Sequence, residues 1–147
     1  MCIRDRYFAQ QILEILPAEK DKDRAIHLHN LAVKLRVLYT TTRRPEHLAK
    51  AIPIAEEAAA LLPPNSPKIL KYETESASCQ GLMYQCRGDV IHLDKGIEKL
   101  DEIRHLAEGK SDHAQEYWNV LTGLVRFRYE LMQVLSLIHI SEPTRPY

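Results

Sequence analysis

The chain has 147 residues, with 20 Lys and Arg balanced by 20 Asp and Glu, and a formal net charge of zero. Neutrality removes the electrostatic basis for holding nucleic acid or an anionic membrane surface, and no apolar run reaches the ~18 residues that a membrane span requires. Three cysteines are too few to staple a small secreted domain. A composition rich in Ala, Leu, Glu and Lys, with five scattered glycines, points to an all-α chain.

The two ends read differently from what lies between them. Met1 to Asp5 can be encoded by ATG TGT ATA AGA GAC, followed by AG as the start of a codon for Arg6. The reverse complement of that string translates as Leu-Ser-Leu-Ile-His-Ile, which is residues 135–140. Both strings resemble opposite strands of a transposon-derived sequencing adapter, continued by Ser141 to Arg145. Residues 1–6 and 135–147 are therefore expected to be translated adapter, and 7–134 to be the repeat-bearing segment. Setting the ends aside removes Arg4, Arg6, Arg145, Asp5 and Glu142 and leaves a net charge of −1.

In chain order, Tyr7 to Leu16 reads as the remnant of a helix. A helix is predicted over about 22–42, with Leu28, Leu31, Ala32, Leu35, Leu38 and Tyr39 on one face. Pro45 opens the next, over 45–62, whose stripe is Leu48, Ala51, Ile52, Ala55, Ala58, Ala59 and Leu62. Pro53 inside it removes one backbone hydrogen bond, should kink the rod, and is expected to face solvent. The run from Pro63 to Pro67 stops that helix and starts a third over 67–87. A fourth covers 89–108, and a fifth runs from about 112 into the 130s. Gly88 and Gly109 suit helix ends, whereas Gly81 and Gly96 suit close packing.

Shifted by 45 residues, the chain matches itself. His47-Leu48-x-Lys50-x-Ile52 pairs with His92-Leu93-x-Lys95-x-Ile97, and Tyr39 pairs with Tyr84 and then Tyr129. The unit is an antiparallel helical hairpin, an A helix followed by a B helix. About two and a half units fit, so the expected fold is an α/α solenoid whose hairpins bury their flanks by stacking. Flanking repeats of a longer parent chain are expected to complete it.

Asn30-Leu31-Ala32-x-x-Leu35-x-x-x-Tyr39, followed by Ala51-x6-Ala58-x4-Pro63, resembles a tetratricopeptide repeat with lengthened helices. The second unit departs from that pattern with Gly96, Ile103 and Glu108. The opening from Asp23 to Ala32 and the Ala51 to Ala58 run are similar to repeats in large fungal proteins, where such arrays accompany a caspase-like CHAT domain or a nucleotide-switch domain. The resemblance implies a scaffold that binds a peptide or partner domain. Its alternative is a regulatory segment of such a larger protein.

The side chains that bear chemistry fit that expectation. His27 and His29 are two apart and point to different helix faces, whereas a helical metal pair wants a spacing of four. Cys79 and Cys86 share a face but sit about 10 Å apart along it, too far for a disulfide, so both read as buried packing thiols. Cys86 and His92 flank the predicted A–B turn without an oxyanion loop, which argues against a nucleophile and its base. The glycines form no phosphate loop. Tyr39, Tyr84 and Tyr129 read as repeat packing rather than a base-stacking ladder, because no basic groove accompanies them. No catalytic residue, cofactor or metal is assigned, and a small helical enzyme or metal protein is the disfavoured alternative. The compartment is left open, with the cytoplasm favoured.

In a solenoid the A helices line one face. With Leu31, Ala32 and Leu35 turned inward, His29, Val33 and Arg36 are expected to project toward a partner. The 45-residue shift adds Ser78, and Gln85 as the counterpart of Thr40; twice the shift adds Asn119 and Arg126.

Overall fold

The computed structural model describes residues 21–109 and 112–141. Among them it holds six helices and no strand: α1 (Asp21–Thr42), α2 (Pro45–Ala60), α3 (Ile69–Arg87), α4 (Val90–Glu102), α5 (Arg104–Ala107) and α6 (Ala114–Ser141). The fold is all-α, built of antiparallel hairpins α1/α2 and α3/α4 with α6 packed on the second. The expected helix over residues 7–16 lies outside the described residues. α6 continues through Leu135 to Ile140, so the expected adapter residues extend the last helix.

Three boundaries recur at the spacing of the sequence repeat. α2 starts at Pro45 and α4 at Val90; α3 starts at Ile69 and α6 at Ala114; α1 ends at Thr42 and α3 at Arg87. Each pair is 45 residues apart. The turns also correspond. Gly88 takes a left-handed conformation (φ 73°) and donates its N–H to the Tyr84 carbonyl at 2.7 Å. Arg43, its counterpart, does the same at φ 58°, donating to the Tyr39 carbonyl at 2.7 Å. Glycine enters that region freely, whereas a side chain with a Cβ is strained there. Asp89 then caps α4 by accepting from the Ile91 N–H at 3.1 Å. Before α2, Arg44 is extended, as the residue preceding a proline prefers.

Each B helix lies between two A helices. α2 packs on α1 and α3, and α4 packs on α3 and α6. Consecutive A helices also touch, α1 with α3 and α3 with α6. Leu31, Leu35 and Tyr39 meet Leu48, Ala51 and Ile52 in one core; Leu70, Ala77, Leu93, Leu100, Tyr117 and Leu124 form another. Pro53 is exposed within a continuous α2, as expected.

Gly81 and Gly96 admit Leu124 of α6. A Cβ on Gly81 would stand 2.8 Å from one Leu124 methyl, and a Cβ on Gly96 would stand 3.0 Å from the other. Leu124 is therefore seated between α3 and α4 where both lack side chains.

Two expectations are corrected. The single helix over 89–108 is broken at Ile103, whose backbone leaves the helical region (φ −105°, ψ 12°). The short α5 that follows directs the Ala107 carbonyl to the Trp118 indole N–H, 3.3 Å away. Cys79 is buried, but Cys86 is exposed, because it falls in the last turn of α3 beyond its neighbours.

Candidate interaction surface

The seven residues expected to meet a partner divide into two groups. Val33 on α1, and Ser78 and Gln85 on α3, lie at one register: Val33, Val37 and Thr40 recur as Ser78, Leu82 and Gln85. Spacings of four and three place each trio on one helix face. Val33, Ser78 and Leu82 are half-buried; Gln85 and Thr40 are exposed, as is Val37 at 51 %. Val37 and Leu82 were missed in the sequence, although the repeat register points to them once Val33 and Ser78 are chosen.

His29 and Arg36 lie four residues before and three after Val33, on the same side of α1 by spacing, and Asn119 and Arg126 are their counterparts on α6. On α1, His29 and Arg36 are turned against α3 and not toward a groove. His29 is only 4 % exposed, its ring stacked on Tyr72 with centroids 4.1 Å apart and planes 2° from parallel. It is therefore not presented to a partner, contrary to expectation. Burial, reinforced by the positive charges of Lys71, Arg36, His113 and Lys68, lowers its pKa to about 4. Burial also raises the pKa of the Tyr72 hydroxyl.

Arg36 reaches across the same seam. Its Nε donates to Glu75 Oε1 at 2.6 Å, and Glu75 is buried. Burial works against the guanidinium charge, but the Glu75 hydrogen bond and charge outweigh it and raise the pKa of Arg36. Asn119 and Arg126, the counterparts of His29 and Arg36 on α6, are both exposed; Asn119 accepts from Gln115 at 3.0 Å.

The opposite side of α3 carries a second polar set. Gln80 Nε2 donates to Glu56 of α2 at 3.0 Å, and His92 Nδ1 of α4 lies 2.6 Å from Gln80 Oε1. His47, the counterpart of His92, has a buried Nδ1 without a hydrogen-bond partner among the described residues, and Leu35 stands where Gln80 would. This set was missed in the sequence. Its signal was available in the 45-residue comparison, which replaces Leu28, Leu31 and Leu35 with Glu73, Ser76 and Gln80.

Burial pushes the Cys79 thiol up to about 12, with the Glu75 charge adding and Arg36 opposing, which makes it a poor nucleophile. Burial likewise raises the Tyr117 hydroxyl, which donates to the Leu100 carbonyl. Among the described residues no group of three or more His, Cys, Asp or Glu is placed to hold a metal ion, and no helix is long and apolar enough to cross a membrane. Comparison with protein-family models, curated proteins and solved structures finds no match to this chain.

Proposed function

We propose that the chain is a segment of a tetratricopeptide-like array that acts as a protein–protein interaction scaffold, receiving a peptide or partner domain on the face of its A helices. The observation that carries this reading is the coincidence of the 45-residue sequence repeat with three pairs of helix boundaries and with contacts between consecutive A helices. Such stacking sets equivalent side chains side by side, here Val33, Val37 and Thr40 beside Ser78, Leu82 and Gln85. These side chains combine apolar and neutral polar groups, which suits an extended or helical segment of low charge. On this reading the chain carries no reaction of its own. Asn119 and Arg126 extend the surface on α6, whereas His29 and Arg36 hold α1 against α3.

Selection of peptides from a random library, followed by amide chemical-shift mapping, tests the reading. Selected peptides should shift Val33, Val37, Ser78 and Gln85, and Val37→Asp should abolish binding while the circular dichroism spectrum stays helical. Peptides whose shifts avoid this face, or bind Val37→Asp unchanged, would overturn it.

A further inference from the structure

The second hairpin departs from the repeat at three inward positions. α1 carries Leu28, Leu31 and Leu35 there, and α6 carries Trp118, Leu121 and Val125. α3 carries Glu73, Ser76 and Gln80, and all three are buried. Replacing buried leucines by polar groups costs stability unless each group finds a partner. Gln80 has two, Glu56 and His92. Glu73 is only 9 % exposed, yet among the described residues its carboxylate has no hydrogen-bond or ion-pair partner.

These side chains floor an open cleft of about 400 Å³ between α2 and α4. Glu56 stands on the α2 wall, with Glu98 and Glu102 on the α4 wall. Lys95 and Lys99 also line it, and Lys99 is engaged with Glu102 at 3.7 Å. Four carboxylates against two ammonium groups leave the lining negative. Burial raises the pKa of Glu73; Lys99 opposes the rise, and Glu102 and Glu56 add to it. Ala60, Ala77 and Gly96 supply apolar surface beside the carboxylate.

We propose that this cleft receives a single arginine side chain from a partner protein, its guanidinium pairing with the Glu73 carboxylate. A planar fork of N–H donors satisfies a buried carboxylate at two oxygens, and the stem of the side chain covers the small apolar residues. At 100° per residue, Glu73 and Gln80 lie about 140° around α3 from Ser78 and Gln85. The cleft is therefore separate from the A-helix surface, and either proposal can fail alone.

An array of octapeptides with randomised flanks and a fixed central arginine, lysine, citrulline or leucine, probed with the full chain, tests this. Arginine-centred peptides should be enriched at least tenfold over citrulline-centred ones, and Glu73→Gln, close in shape to the parent, should abolish that preference. Glu73→Leu, which restores the residue type of α1, should also abolish it while raising the melting temperature. Gln85→Ala, on the other face, should leave it intact. No preference for arginine over citrulline, or a preference that survives Glu73→Gln, overturns the proposal.

Discussion

Leu124 touches two helices at points where neither has a side chain, so its removal and the filling of either glycine should be coupled. In the parent, Gly81→Ala places a methyl 2.8 Å from a Leu124 methyl, against an ordinary carbon contact of about 3.5–4.0 Å. The overlap costs about 1–3 kcal/mol, while alanine gains about 1 kcal/mol of helix propensity over glycine. The net is a loss of about 1 kcal/mol. Leu124→Ala, at a fully buried site, costs about 3 kcal/mol through the cavity it leaves. In that background the clash is gone, and Gly81→Ala should stabilise by about 1 kcal/mol. The change of sign implies an interaction energy of about 2 kcal/mol, well above the scatter of independent sites. Urea unfolding followed by far-UV circular dichroism on the four proteins measures it. Equal effects of Gly81→Ala in both backgrounds would refute the seating of Leu124 between α3 and α4.

His29 ionises at about 4 in the folded chain and at about 6.5 when unfolded, so the unfolded state binds the extra proton. Its contribution is complete above pH 6.5 and is lost as pH falls toward 4, to the extent of about 2–3 kcal/mol; His29→Gln should flatten the stability profile in that interval, as read by urea titrations at successive pH values. Cys86 should react with iodoacetamide in the native protein while Cys79 stays protected until unfolding, as peptide mapping by mass spectrometry would show; equal labelling would contradict the buried thiol. At the paired turns, Gly88→Ala should cost about 1 kcal/mol through left-handed strain, whereas Arg43→Gly should gain about 0.5 kcal/mol, the strain relief being offset by glycine's freedom in the unfolded chain. Melting curves of the two variants should move in opposite directions.

Helix positions were legible wherever one apolar stripe faced one neighbour. α2 shows this best, since Leu48, Ala51, Ile52, Ala55, Ala58 and Ala59 are all buried as its spacing implies. α3 was less legible because neighbours surround it: Glu73, Thr74, Glu75, Ser76 and Gln80 are buried there, and polar residues carry no stripe. The placement of His29 failed for a related reason. Whether a residue beside the core faces a groove or the next A helix depends on how hairpins rotate against each other, which no local pattern encodes. Cys86 shares the phase of Cys79 but not its depth, because phase says nothing about where a neighbouring helix stops.

α3 is the common wall of both hairpins. Leu70 and Ala77 belong to the core with α4 and α6, while Tyr72, Cys79 and Met83 belong to the cores with α1 and α2. Each hairpin's core is therefore completed by residues that also depend on the other. Opening one strips a side of α3 and exposes the residues that hold the second, which ties the repeats into one cooperative unit. Communication between the hairpins is then a matter of shared stability: whatever steadies α3 from one side steadies the hairpin on the other.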